Sequence, residues 1–167
     1  MTADALLSNL DDKDLADRLE GFWLAADSRM VGLSVYNPAL AVMVTPVRRF
    51  GRFRFAAVVT PWCMNVVAVP DGGIRLPPDG VTLRLELPAG EVDFVVASME
   101  DDSRYGAASL FSPMDEFDDQ VTAEQVAFAA LDELLGETEP SEVESLSVSL
   151  DRRRLLGLGR GTPETGQ

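Results

Sequence analysis

Histidine is absent from the 167 residues of this chain, which removes the commonest general base, the commonest metal ligand and every imidazole triad. Cys63 is the only cysteine, so it can form neither an internal disulfide nor a thiolate metal cluster. Without an imidazole partner its activation would rest on a helix end or on nearby arginines, and Arg48, Arg49, Arg52 and Arg54 are the candidates. The bland reading is a small buried hydrophobe. Carboxylates are plentiful, with clusters at Glu100-Asp101-Asp102 and Asp115-Glu116-Phe117-Asp118-Asp119. Neither has the alternating ligands, central glycine and terminal glutamate of a calcium loop, so both read as solvated surface. Lys13 is the only lysine and no glycine run precedes it, so a phosphate-binding loop is not expected. These residues exclude much of catalysis, and neither a cofactor nor a metal is expected.

The elements that would position these groups follow from apolar spacing. Leu15, Leu19, Phe22, Trp23, Ala26 and Met30 recur at helical intervals behind Asp11, Asp12 and Asp14, which predicts an amphipathic helix over 12–29. Runs at 41–50 and 53–60, joined across Gly51-Arg52, read as a hairpin with Pro46 at an edge or bulge. Further strands are expected at 64–69, 81–87, 92–98 and 104–110, broken by Pro61 and by Pro70-Asp71-Gly72-Gly73. Thr122 and Gln125 have capping-box spacing before a second helix that Gly136 would stop. Connections this short cannot make parallel crossovers, so the expected fold is α+β: an antiparallel meander of hairpins packed with an N-terminal and a C-terminal amphipathic helix. The expected organisation is a flexible segment 1–11, a single domain 12–136, and an acidic connector with a basic tail over 137–167.

A formal net charge of −14 disfavours nucleic acid and anionic lipid as partners. The charge is uneven. Residues 28–70 hold five arginines and no acid, whereas 100–144 hold fourteen acids and one arginine, which predicts two faces of opposite sign. No run approaches the ~20 apolar residues that would span a bilayer, and the start lacks the basic and apolar regions of a secretory signal. A cytoplasmic protein without direct membrane insertion is expected.

Three local sequences are more specific: Arg29-Met30-Val31-Gly32-Leu33 followed by Asn37-Pro38-Ala39-Leu40, then Thr60-Pro61-Trp62-Cys63-Met64-Asn65, then Ser109-Leu110-Phe111-Ser112-Pro113-Met114. In order and spacing they resemble the HybE/HupJ/HoxT family of nickel-iron hydrogenase assembly chaperones. Cys63 departs from the aromatic usual there. The resemblance implies a cytoplasmic chaperone, not an enzyme, that binds the large subunit or the small-subunit precursor of a hydrogenase before assembly and twin-arginine export. It further implies a twin-arginine signal peptide and a rubredoxin-like accessory protein as possible partners. Arg152-Arg153-Arg154-Leu155-Leu156 is similar to a twin-arginine pattern, although Asp151 and Leu155 replace its serine and phenylalanine.

Each signature has a packing explanation beside the functional one. Asn37-Pro38 is a good turn starter. Pro61, Trp62, Met64, Asn65, Phe111, Pro113 and Met114 could present an apolar surface at proline breaks, or close the core. The alternative function is a thiol-dependent redox or protective factor for cluster assembly that uses Cys63.

Overall fold

The computed structural model describes residues 7–72 and 74–136. Helix α1, Asp12–Met30, begins where the Asp11 carboxylate accepts a hydrogen bond from the Asp14 amide at 2.8 Å, satisfying one donor the first turn leaves free. Leu15 and Leu19, one turn apart, are each 1% exposed, and Phe22 and Trp23 extend the same face. The helix ends as the chain reaches Gly32, whose φ of 93° is open to glycine and strained for other residues.

Seven antiparallel strands follow: β1 Met43–Val44, β2 Arg48–Phe50, β3 Phe53–Val59, β4 Met64–Pro70, β5 Thr82–Leu87, β6 Gly90–Ser98 and β7 Arg104–Phe111. Pro46 lies between β1 and β2, both of which pair with β3. The sheet order is β1-β3-β4-β7-β6-β5. The expected hairpins are therefore present as two runs, β2-β3-β4 and β5-β6-β7. They meet where β4 pairs with β7 rather than with β5, because the chain leaves β4 for the far edge of the sheet. The reason lies in β4 itself. Val66-Val67-Ala68-Val69 is a continuous apolar run, fully buried, and such a strand must be paired on both edges and covered on both faces.

Those faces are covered by the two helices. Phe55, Ala57 and Val59 of β3 and Val66 and Ala68 of β4 pack with Ala123, Ala127, Leu131 and Leu134 of α2, Gln120–Leu135. Ala56 and Val58 of β3 and Val67 and Val69 of β4 pack instead with Leu15 and Leu19 of α1. The period-2 alternation of strand side chains thus divides the core into two layers. Helix α2 starts earlier than its sequence suggests. Asp119 is its N-cap and accepts from the Thr122 amide at 2.8 Å, so Thr122 is the capped residue rather than the cap. Gly136, with φ 86°, ends it as expected.

Two expectations need correction. The packed body begins before residue 12. Leu7 is 2% exposed, and the guanidinium of Arg54, itself 1% exposed, donates to the carbonyls of Leu10 at 2.6 Å, Leu7 at 2.8 Å and Ser8 at 3.3 Å. A buried cation needs such acceptors, and residues 7–10 supply them. Nor do the arginines of 28–70 form a basic face. Arg48 pairs with Asp132, Arg49 with Asp12 and Asp71, and Arg54 lies 3.4 Å from Asp12. Among the described residues no helix is long and apolar enough to cross a membrane.

Candidate functional site at the loop end of the sheet

The three signature segments, far apart in sequence, come together at one end of the sheet, and Asn37 joins them. Its backbone amide donates to the carbonyl of Pro61 at 2.8 Å. Its side-chain amide donates to the carbonyls of Met114 at 3.0 Å and Phe117 at 2.8 Å. Its side-chain oxygen accepts from the Ala39 amide at 3.0 Å, the local turn that Asn37-Pro38 predicts. One half-buried asparagine therefore uses both donor hydrogens and its acceptor to tie the α1–β1 loop to the β3–β4 turn and the β7–α2 loop.

The β3–β4 turn is built around Thr60, which is fully buried. Its hydroxyl oxygen accepts from the amides of Cys63 at 2.9 Å and Trp62 at 3.2 Å, and the hydroxyl donates to the Cys63 carbonyl at 2.9 Å. Pro61 is buried within this turn, while Trp62 is half-buried and stacks on Tyr36 with ring centroids 6.4 Å apart and planes 24° from parallel. The Tyr36 hydroxyl donates to Asp27 at 3.0 Å, so the stack is braced from α1. Cys63 faces inward. Burial pushes its thiol above the usual range, and hydrogen bonds from Thr60 and Asn65 only partly offset this. Of the arginines that would have activated it, Arg48, Arg49 and Arg54 are engaged elsewhere, as above, and Arg52 lies in the β2–β3 turn, at the opposite end of β3 from Thr60.

The third segment ends β7. The register slips between Met64↔Phe111 and Asn65↔Ser109, leaving Leu110 as the extra residue of a bulge. Phe111 packs edge-on against Phe117 at 4.9 Å. Ser109, Ser112 and Pro113 are exposed, and the Ser112–Pro113 peptide is cis. Met64 and Met114 are each 0% exposed and belong to the core under α2. They therefore cannot form part of an apolar surface, because the strand alternation and the chain reversal after Pro113 turn them inward. Arg29 is exposed and bonds the Ala25 carbonyl, Met30 is half-buried, and Pro38 is exposed on the loop. Arg152 and Arg153 lie outside the described residues.

An open groove of about 400 Å³ lies at this end, lined by the loop 34–39 together with Pro113, Asp115, Phe117 and Asp118. Val35 on its wall is 43% exposed, and Leu33 and Val31, preceding it along the loop, are 51% and 60% exposed. Val35 and Tyr36 fall between the two halves of the first signature, where no motif marks them. The alternation of Val31, Leu33 and Val35 without a strand partner was the available signal. Of the acidic clusters, Asp101 accepts from the Ser103 amide and Arg18, and Asp119 caps α2. Among the described residues no three His, Cys, Asp or Glu side chains are grouped to hold a metal ion.

The arrangement of an antiparallel sheet between two helices is shared with the solution structure of HybE from Escherichia coli, at a TM-score of 0.62 over 91% of this chain and 85% of that one, with 19% identity. The class of molecule is thus an α+β fold with its signature loops gathered at one end. At the level of sequence, HupT of Azotobacter chroococcum, a hydrogenase expression/formation protein, is 37% identical over 142 residues, 84% of this chain and 95% of that protein. HupJ of Bradyrhizobium diazoefficiens, of the same description, is 35% identical over 167 residues, 97% and 96% of the two chains. Residues 14–158 match the family described as NiFe-hydrogenase assembly, chaperone, HybE. The chain belongs to this HybE family of nickel-iron hydrogenase assembly chaperones.

Proposed function

We propose that the protein acts by binding, without catalysis, and holds an immature nickel-iron hydrogenase subunit at the loop end of the sheet before assembly and twin-arginine export. The observation that supports this reading is the convergence of the three signature segments on Asn37. Pre-formed loops lower the ordering cost of binding, and Trp62, Val35, Leu33 and Pro113 give that end an apolar contact surface beside the carboxylates of Asp115 and Asp118. The client is the large subunit or the small-subunit precursor, and the work is done in the cytoplasm. A basic client segment, the twin-arginine signal peptide included, suits the acidic side of the groove, with affinity falling as salt rises.

Capture of hydrogenase subunits by the tagged wild-type chain from hydrogenase-producing cells is the expected result. Recovery of neither subunit overturns the proposal. A rubredoxin-like accessory protein, which the family resemblance also raises, is a second partner for the same end, and adding it in purified form to the capture assay distinguishes the two. The thiol-dependent reading draws no support from Cys63, which is buried with its thiol pushed up.

A further inference from the structure

Asp115 and Asp118 line the groove with no cation paired to either among the described residues, and the neighbouring loop exposes Val35, Leu33 and Val31. A strip that is acidic on one side and apolar on the other fits a segment that is basic and then apolar. The chain carries one itself: Arg152-Arg153-Arg154-Leu155-Leu156-Gly157-Leu158, its only run of three cations. This segment can reach. Helix α2 starts beside Asp118 and Asp119, and its 16 residues carry the chain about 24 Å away at ~1.5 Å per residue. The residues between Gly136 and Arg152 can span about 50 Å at ~3.3 Å each, roughly twice the distance back to the groove. Tethering makes the encounter intramolecular, which raises the local concentration of the segment far above that of a free client.

We propose that residues 152–158 occupy the groove of their own chain, with the arginines against Asp115 and Asp118 and the leucines against Val35 and Leu33. A client that uses this end must displace them, a consequence that rests on the client reading above, whereas the docking does not.

The test compares amide spectra of the isotopically labelled full chain with those of the variant Arg152→Glu/Arg153→Glu/Arg154→Glu. The expected differences fall at residues 33–39 and 113–118, are independent of protein concentration, and shrink when salt is raised to about 0.5 M. The variant Asp115→Asn/Asp118→Asn should shift the resonances of Leu155 and Leu156 in return. Unchanged β3 and β4 resonances certify that each variant is folded. Coincident spectra at the groove, differences at another surface, or shifts that vanish on dilution overturn the proposal. Subunit capture is measured on the same proteins, where charge reversal should tighten binding about tenfold or more. Groove shifts without any capture leave the docking standing and remove the client reading, and capture without groove shifts does the reverse.

Discussion

Asn37 and Met114, 77 residues apart in the chain, are joined by a hydrogen bond of 3.0 Å from the asparagine side chain to the methionine carbonyl. The same amide holds Phe117, so Asn37→Ala leaves two carbonyls of the β7–α2 loop without their donor. The expected cost is about 1–3 kcal/mol, read as a lower urea midpoint with an unchanged slope. Asn37→Asp should cost more, because a carboxylate would face two carbonyl oxygens.

Arg54 is the corresponding anchor at the start of the domain. Arg54→Met keeps the side-chain length but strips the Leu7, Ser8 and Leu10 carbonyls of their donor. A loss of roughly 2–4 kcal/mol is expected, with faster proteolysis before Asp12. Arg54→Lys should recover only part of it, since one ammonium cannot reproduce the fork of the guanidinium.

Gly106 of β7 lies where an added Cβ would sit 3.0 Å from the Cβ of Phe94 on β6. Both atoms belong to paired strands, so neither can swing aside. Gly106→Ala should destabilise by about 1–3 kcal/mol, and thermal denaturation checks it. Gly21→Ala, where nothing lies within 4 Å on an exposed helical turn, is the control and should stabilise slightly.

Alkaline pH should destabilise the fold through two buried acids. Burial, with the Cys63 thiol and Asp79 adding to it, pushes Tyr105 up to about 12 from an ordinary 10.0, and burial raises Cys63 as well. Both groups are neutral when protonated, so the folded chain keeps protons that the unfolded chain has released. Their contribution is complete below the ordinary values and is lost as pH rises through the folded ones, for Tyr105 between about 10 and 12. Urea midpoints measured from pH 8 upward should fall across that range, and Tyr105→Phe should flatten the fall. At pH 8 Cys63 should react slowly with a thiol reagent in the native protein and quickly in urea.

Trp62 and Tyr36 form the half-buried aromatic part of the site. Trp62→Ala should weaken subunit capture about tenfold or more while shifting the melting temperature little, because the ring is only half-buried. Trp62→Phe should retain most of the capture. Met64→Ala offers the contrast: a fully buried methionine lost from the core, costing about 2–5 kcal/mol of stability.

Local signals in the sequence were largely sufficient for the elements. The helical spacing of Leu15, Leu19, Phe22 and Trp23, the turn at Gly51 and the stop at Gly136 are properties of neighbours in the chain, and each is present in the fold. What depended on distant partners was less legible. Asp119 outcompetes Thr122 as the cap of α2 because the chain turns at Phe117 under Asn37, a constraint from 80 residues away. Met64 and Met114 share a residue type with interface side chains, and only the register and the bulge at Leu110 decide that they face inward. Arg54 read as surface charge because its acceptors are backbone carbonyls, which every residue carries. Within the candidate site the motifs marked three segments that the fold brings to one end of the sheet, while Val35 and Tyr36, which line the groove there, lay in the gap between the halves of the first.

The pairing of β4 with β7 has a further consequence for when the site comes into being. It is a seam between two halves that can each begin as local hairpins, and Met64↔Phe111 is its last rung. The loop end rests on that rung and on the start of α2. During synthesis the loop end therefore cannot be complete until the ribosome has delivered the chain through α2, and a copy that stops before Leu135 lacks part of the support on which this surface rests.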